Sequence, residues 1–439
     1  FFNDTATTEI YTSLFVGSVS VYKRQKMKLI SLLVTFSMIG CSLEVDNPNS
    51  LLEGDLADPS AAAAVANGAW NTVLNGIGNI MIANSVATDE VVWTGSRDAW
   101  RQLDKGGMSN VYNEFVDGAW PSISEGRWMA DKAVSVLEEL GADLPDDQDL
   151  VMAYATAAMV RVFVADMFDD FVYSDKTVAG TPIGAANMSK MYDEAIEKLG
   201  KADAKANAAW KVRVHALKAR TEHAKAVWGK NNPVNTSAPY VNAGASTAAN
   251  ALALMDTPDW KWKMNFSSGT VSNNMSWQIN GRLEMDLLDS PQHPDKGGDP
   301  NKTDPVTGAP DTRVLAEAAI FGSGIGGGTD YAPITIVSAR EMHLIIAEGK
   351  LAGGDNAGCI AELNKIRAID DLGAYTTQDA GAAYQHERYA NLFIQGRRLQ
   401  DMYRFGATST IWDPVEKSPA GSFFPIPIRE IRANPNISQ

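Results

Sequence analysis

Apolar side chains return every three or four residues along much of the chain, which is the spacing that one face of an α-helix requires. An Ala-rich stretch begins this pattern near Ser60, a residue suited to a helix N-cap, and Gly76 and Gly78 are expected to end the first helix. The later periodic stretches predict helices over 80–93, 111–140 with a break at Pro121, 150–171, 188–206, 210–228, 338–351, 356–368 and 382–404. Short links between successive helices favour a stack of helices.

Residues 230–335 interrupt this pattern. They are rich in turn-forming residues and have few periodic runs, and a long loop-rich region inside a globular protein usually carries function. We therefore expect helices over 59–229, a loop-rich insert over 230–335, and a helical and C-terminal part over 336–439. The predicted fold class is all-α, a stack of tetratricopeptide-type helical hairpins, although the usual tetratricopeptide sequence signature is absent.

The segment before the first helix has the features of an export signal. Lys28 precedes an eleven-residue apolar run over 29–39, which is too short to cross a bilayer as a helix. Residues 38–41, Met-Ile-Gly-Cys, resemble a bacterial lipobox and predict lipidation of Cys41. The alternative is a secretory signal with a cysteine there by chance.

These features predict the domain organisation. We expect a signal peptide over 27–40, a lipidated tether over 41–58, and a single domain over 59–439. Residues 1–26 lack every feature of a signal and are interpreted as non-native read-through.

Composition and charge limit the chemistry. The 439 residues include 38 Lys and Arg against 53 Asp and Glu, and the formal charge of −15 disfavours a nucleic-acid-binding groove. Two cysteines form neither a disulfide scaffold nor a four-thiolate zinc site, and we expect Cys359 to be an inert helix residue.

Neither a metal nor a cofactor is expected. The five histidines lack metal-binding spacing, and the Gly-rich stretch 322–328 lacks the terminal Lys of a phosphate-binding loop. Asp295, Asp299, Asn301 and Asp304 could supply oxygen ligands to calcium, but they are not spaced as in an EF-hand. No pair of carboxylates stands out as catalytic.

The C-terminal third contains motifs in a specific order. They are Arg-Glu-Met-His-Leu-Ile-Ile-Ala-Glu over 340–348, Leu-Asn-Lys-Ile-Arg over 363–367, Glu387-Arg388, Gly-Arg-Arg-Leu-Gln-Asp-Met-Tyr-Arg-Phe-Gly over 396–406, and Phe-Pro-Ile-Pro over 424–427. With weaker matches at 67–70, 88–90 and 310–313, the sequence resembles the SusD/RagB family of outer-membrane lipoproteins over essentially the whole chain after the signal. It departs from the family at Asn391 and Gln395, where acids are usual, so neutral hydrogen bonds are expected there.

Six charged residues of these motifs fall among apolar positions of predicted helices. A buried charge is tolerated only when it is paired and hydrogen-bonded. We therefore interpret the six as structural ion pairs rather than ligand contacts: Glu341, Glu348, Arg367, Glu387, Arg397 and Arg398.

Candidate ligand contacts lie elsewhere. Sugars stack their C–H faces on aromatic rings and need bidentate polar partners for their hydroxyls. Two stretches have this composition, and in the family the loop after the Asp-Glu pair at 89–90 commonly supplies ligand aromatics. The candidates are Trp93, Arg97, Asp98 and Trp100 in the first stretch, and Trp262 and Trp277 in the insert. The alternative is that these Trp residues only cover the core.

The resemblance implies a non-catalytic lipoprotein on the outer membrane, facing the cell exterior. Such a protein binds oligosaccharides and delivers them to a SusC-like TonB-dependent transporter. Three alternatives remain open: oligopeptide capture within the same family, a surface hydrolase, and a helical-repeat adaptor.

Overall fold

Helices dominate the computed structural model, which describes residues 58–175, 177–287, 303–322 and 329–438. The helices are α1 (Ala62–Val86), α2 (Asp98–Asp104), α3 (Glu114–Leu140), α4 (Asp147–Met167), α5 (Ser189–Lys205), α6 (Ala208–Asn231), α7 (Ala245–Leu254), α8 (Asn274–Ser276), α9 (Thr312–Phe321), α10 (Ala339–Ala352), α11 (Asn356–Ile369), α12 (Ala380–Leu392), α13 (Arg398–Phe405) and α14 (Ile428–Ala433). The predictions for the signal peptide, for Cys41 and for residues 1–26 lie outside the described residues.

Neighbouring helices pack in a continuous series. Helix α1 packs on α3, and α3, α4, α5, α6 and α7 follow one another in order. Helix α7 then contacts α10, which packs with α11 and α12. The all-α prediction of stacked helical hairpins is confirmed.

Helix α4 lies at the centre of this series. Within the described ranges it is the one helix long and apolar enough to span a membrane, and 94% of its apolar window is buried inside the protein. Its apolar surface therefore packs against other parts of the chain.

The first helix is longer than the sequence predicts. Helix α1 continues through Gly76 and Gly78 to Val86, and strand β1 (Val91–Trp93) replaces the end of the helix expected over 80–93. A Cβ at Gly76 would lie 2.7 Å from the carbonyl oxygen of Ser122 on α3. The expectation that these glycines end the helix is wrong, because Gly76 allows two helices to approach closely.

Two other predicted helix boundaries also change. Pro121 lies inside a continuous α3, which packs against α1, so the expected break at this residue is wrong. The predicted helix over 382–404 is in fact α12 and α13, separated at Phe393–Arg397, where Ile394 (φ 58°) and Gly396 (φ 78°) adopt left-handed backbone conformations.

The insert has more regular structure than a loop-rich region suggests. It contains α7, α9 and strands β2 (Lys261–Met264) and β3 (Met285–Leu287), and strand β4 (Ile334–Ser338) begins within it. Strand β1 pairs antiparallel with β3, with Trp93 opposite Met285. Strand β2 pairs antiparallel with β4 and has an irregularity between Trp262 and Lys263.

Buried ion pairs connect the C-terminal helices to the rest of the domain. The guanidinium of Arg397 binds Glu341 with its Nη2 2.9 Å from Oε2. Arg398 forms a two-point contact with Asp89, at 2.7 Å from Nε and 2.6 Å from Nη2. The break between α12 and α13 therefore directs two successive arginines to different partners.

The other predicted pairs are equally buried. Glu348 binds Arg404 and the Nε2 of His223, the latter at 2.6 Å. Burial raises the pKa of Glu348, but Arg404 and His223 outweigh it and hold that pKa well below its usual value. Glu387 lies 3.1 Å from Nη1 of Arg367.

Of the two amides that depart from the family pattern, Gln395 bonds to a neutral backbone carbonyl and Asn391 bonds to two charged side chains, so the expectation of neutral hydrogen bonds holds only for Gln395. Asn391 donates to the Glu387 carboxylate at 2.9 Å and accepts from Arg340 at 3.2 Å. Gln395 donates to the carbonyl of Asn391 at 3.0 Å.

Candidate ligand-binding surface

A single buried carboxylate joins two exposed parts of the chain. Glu284 accepts hydrogen bonds from the amides of Ser96 and Arg97, at 2.9 and 3.2 Å, and from the Ser96 hydroxyl at 3.1 Å. Its carbonyl accepts from the amides of Thr94 and Gly95, and its own amide donates to Gln278. Glu284 therefore fixes the turn over 94–97 against the segment that begins at Trp277.

This arrangement also sets the charge of Glu284. Burial raises the pKa of the carboxyl, but the amides of Arg97 and Ser96, the Ser96 hydroxyl and Trp93 outweigh it and lower the pKa below its ordinary value. The group is therefore an anion at neutral pH and acts as an acceptor for the turn.

Arg97 and Asp98 are exposed at the edge of this turn. Arg97 lies 3.5 Å from Glu114 and above the ring of Phe115, and Asp98 accepts from Nε of Arg101 at 2.8 Å. Trp93, at the end of β1, is half-buried, and its amide donates to Asp104 at 3.0 Å. The first stretch therefore presents polar groups of both signs beside part of one indole.

Trp277 provides an exposed aromatic ring on the second segment. Its side chain is 46% exposed, and it begins a π-helical turn, Trp277–Gly281. A Cβ at Gly281 would overlap the indole, at 2.2 Å from its Cε3 atom. Gly281 therefore makes room for the ring to lie over its own turn.

Asn280 connects this turn to a third exposed segment. Its amide donates to the carbonyls of Phe321 and Thr329, at 2.6 and 3.5 Å. Tyr331, two residues beyond Thr329, is 36% exposed. A second aromatic side chain therefore belongs to a segment that is hydrogen-bonded to the Trp277 turn.

The structure corrects the expectation for Trp100 and Trp262. Trp100 is 1% exposed and stacks on Phe115, with ring centroids 3.6 Å apart. Trp262 is 7% exposed and stacks on Trp70 at 5.7 Å. Both indoles therefore cover the core. The sequence expectation fails because polar neighbours along the chain do not reveal which side chains the fold buries.

One buried group of side chains in the described part has the spacing of a metal site. Asp304, Asp311 and His386 bring ligand atoms within 4.8 Å of one another. Arg367 lies 2.8 Å from Asp304, and Arg313 lies 2.7 Å from Asp311. Two guanidinium groups therefore already neutralise these acids, and of the calcium candidates only Asp304 lies in the described part.

Known proteins share this architecture. No protein-family model and no curated protein matches the chain. Among solved structures, a SusD superfamily protein from Bacteroides vulgatus has a TM-score of 0.62 at 13% identity, covering 87% of this chain and 98% of that one. A SusD superfamily protein from Bacteroides thetaiotaomicron also has a TM-score of 0.62, at 14% identity and with 87% and 99% covered. This chain has the SusD-like fold.

A third structure with the SusD-like fold has a more specific description. It is a SusD-like carbohydrate binding protein from Bacteroides vulgatus, with a TM-score of 0.54 at 16% identity, covering 80% of this chain and 84% of that one. At these identities the similarity shows the fold.

Three residues at or near the candidate ligand-binding surface are not predicted from the sequence. Glu284 and Tyr331 belong to the insert, and their neighbours come from distant parts of the chain. Tyr112 is 64% exposed, and the next residue, Asn113, donates to the carbonyl of Ala99 beside Asp98. The one sequence signal for Tyr112 is its position directly before Asn113, a residue suited to a helix N-cap.

Proposed function

We propose that this protein binds oligosaccharides at the surface formed by residues 91–98 and 277–284. The exposed indole of Trp277 carries the proposal, because it lies on the segment that Glu284 joins to Arg97. An indole face stacks on the C–H face of a sugar ring, and exposed side chains such as Arg97 and Asp98 can exchange hydrogen bonds with its hydroxyls. Trp93 and Tyr331 extend the same surface.

The charges around this surface favour a neutral ligand. Arg97 and Arg282 are exposed, as are Asp98 and Glu114. These two positive and two negative charges balance, so the surface has no strong field of either sign despite the chain's formal charge of −15. A neutral glycan therefore meets neither strong electrostatic repulsion nor strong attraction at this surface.

The comparisons support a sugar as the ligand. One structure with this fold is described as a SusD-like carbohydrate binding protein. In our proposal the protein is a non-catalytic lipoprotein, anchored through Cys41 at the outside of the outer membrane. It captures the glycan and delivers it to a SusC-like TonB-dependent transporter.

An array that carries both glycans and peptides tests the binding step. The chain from residue 42 onward, which omits the lipid-bearing cysteine, is expected to bind oligosaccharides and to leave peptides unbound. Binding of peptides alone would replace the proposal with oligopeptide capture. Release of shorter products from a bound polysaccharide would contradict a non-catalytic role.

Cell fractionation tests the anchor and the partner. The full chain is expected in the outer-membrane fraction, accessible to externally added protease and co-purifying with a TonB-dependent transporter. Cys41→Ala is expected to move the protein out of the membrane fraction. Membrane retention of that variant would contradict the anchor.

A further inference from the structure

Glu90 occupies the joint between the end of α1, strand β1 and the break between α12 and α13. Its Oε1 accepts a hydrogen bond from the amide of Ile394 at 2.8 Å. Ile394 has a φ of 58°, a conformation that β-branched residues rarely adopt. The hydrogen bond to Glu90 therefore holds a strained residue in place.

The second oxygen of this carboxyl group is not satisfied in the described part of the chain. Glu90 is 1% exposed, and its Oε2 has no hydrogen bond of standard geometry, although the nearby Ser85 hydroxyl lowers the pKa of the carboxyl group. Burying an ionised carboxylate with one backbone donor is unfavourable, whereas a protonated carboxylic acid carries no charge that requires a partner.

The charged groups around Glu90 do not compensate for ionisation. Asp89 precedes it, and Arg398 on α13 is bound to Asp89 at two points and stacks above Tyr389 of α12. From α1, Ser85 faces the carboxyl group as a neutral hydroxyl. The nearest cation therefore already has an anionic partner.

These contacts determine the proton affinity of Glu90. Burial raises its pKa most, and Asp89 raises it further, while the Ile394 amide, Arg398 and Ser85 lower it. The result is a pKa of about 8. Glu90 is therefore protonated at neutral pH and ionises in mildly alkaline solution.

The joint lies directly before the proposed ligand surface. Strand β1 starts at Val91, pairs with β3, and leads into the turn that Glu284 holds. We propose that Glu90 is a positioning residue for residues 91–98, which it anchors to the α12–α13 break while protonated and releases when it ionises. This inference rests on the proposed function only in so far as residues 91–98 form part of the ligand surface.

The sign of the pH dependence follows from the two states of the carboxyl group. In the unfolded chain Glu90 ionises near the ordinary glutamate pKa of 4.5, and in the folded chain it keeps its proton up to about pH 8. Its contribution to stability is therefore complete below pH 4.5, declines as the pH rises, and is lost above about pH 8.

Hydrogen exchange of the full chain without ligand tests this proposal. Protection of the amides over 91–98, corrected for the intrinsic exchange rate, is expected to fall about tenfold or more between pH 7 and pH 9.5, as expected when an anchor is lost. The midpoint is expected near pH 8. Amides of α4 are expected to keep their protection.

Two variants distinguish the pH response caused by Glu90 from a response caused by other titratable groups. Glu90→Gln is expected to remove the pH response of residues 91–98. Asp169→Asn is the matched control, because burial and Asp170 raise the pKa of Asp169 to about 7 at a different place, the end of α4. This variant is expected to keep the wild-type response.

Constant protection in the wild type, a wild-type response in Glu90→Gln, or loss of the response in Asp169→Asn would overturn the proposal. The wild-type profile stands even if Glu90→Gln does not fold. Because no glycan is present, failure of this test is distinct from failure of glycan binding.

Discussion

The buried carboxylate of Glu284 accepts hydrogen bonds from both the amide and the hydroxyl of Ser96, at 2.9 and 3.1 Å, across a sequence separation of 188 residues. This contact joins a turn near the N-terminal end of the domain to a turn in the insert. The geometry of the proposed ligand surface therefore depends on a residue that itself is 5% exposed.

Replacing Glu284 should lower both the stability of the protein and its affinity for a glycan. Glu284→Ala removes three hydrogen bonds to a carboxylate, and we expect it to lower the free energy of unfolding by about 2–4 kcal/mol. Glycan affinity, measured by titration calorimetry below the unfolding transition, is expected to fall about tenfold or more. Glu416→Ala, which removes the exposed partner of Arg101 on α2, is the matched control. Equal affinity in wild type and Glu284→Ala would contradict the role of Glu284 in holding the turn over 94–97 against the segment that begins at Trp277.

Two tryptophans of the insert should behave in opposite ways. Trp277→Ala removes an exposed ring, so we expect glycan affinity to fall about tenfold or more and the free energy of unfolding to change by less than about 1 kcal/mol. Trp262→Ala empties a buried site and is expected to cost about 3–5 kcal/mol. Calorimetric titration and urea denaturation measure both effects. Unchanged affinity in Trp277→Ala would remove that ring from the site.

Arg398 should matter for stability before it matters for binding. Arg398→Ala leaves Asp89 buried without its cation, and breaking such a pair is expected to cost about 3–5 kcal/mol. Arg97→Ala, at the exposed turn, is the control, and it is expected to weaken glycan binding with little change in unfolding. An Arg398→Ala protein of wild-type stability that no longer bound glycan would show that the pair is not structural.

Two glycines of α1 give a matched test of helix packing. A Cβ at Gly76 would meet the Ser122 carbonyl, whereas nothing lies within 4 Å of a Cβ at Gly68. Gly68→Ala is expected to stabilise the protein by about 0.5–1 kcal/mol, because alanine favours the helix. Gly76→Ala is expected to destabilise it by about 1–3 kcal/mol through overpacking. The opposite order in thermal denaturation would contradict the close contact of α1 and α3.

Acid should weaken the buried ion pairs. Although burial raises the pKa values of Asp311, Glu341 and Asp401, their cationic partners outweigh it and hold those values below the ordinary range. Because the unfolded chain binds protons more readily, this stability is present above about pH 4 and is lost as the pH falls through the folded values. Urea denaturation is expected to show a steep decline in the free energy of unfolding between about pH 4.5 and pH 3. A flat profile there would contradict the ionised state of these acids.

Much of the fold follows from helical periodicity, and the errors have a common cause. From sequence alone, a glycine such as Gly76 predicts the end of a helix. The sequence does not reveal that another helix, α3, packs closely against this position. The break at Phe393–Arg397 is invisible to periodicity, because it is stabilised by Glu90, Asp89 and Glu341, which lie far away in sequence. Local propensity predicts where helices form, and distant contacts decide where they stop.

The candidate site is predictable only in part. The polar character of Arg97 and Asp98 is evident from the sequence, and both are exposed. Trp100 and Trp277 have equally polar neighbours in sequence, yet one is 1% exposed and the other 46%. Which aromatic ring faces solvent depends on what packs against it, and that information is absent from a local stretch of sequence.

The most direct test is a crystal structure of the chain from residue 42 onward with the oligosaccharide that binds it most tightly on the array. We expect a sugar ring stacked on Trp277, with hydroxyls within hydrogen-bonding distance of Arg97 or Asp98. A glycan bound elsewhere, with Trp277 unoccupied, would contradict the proposed surface.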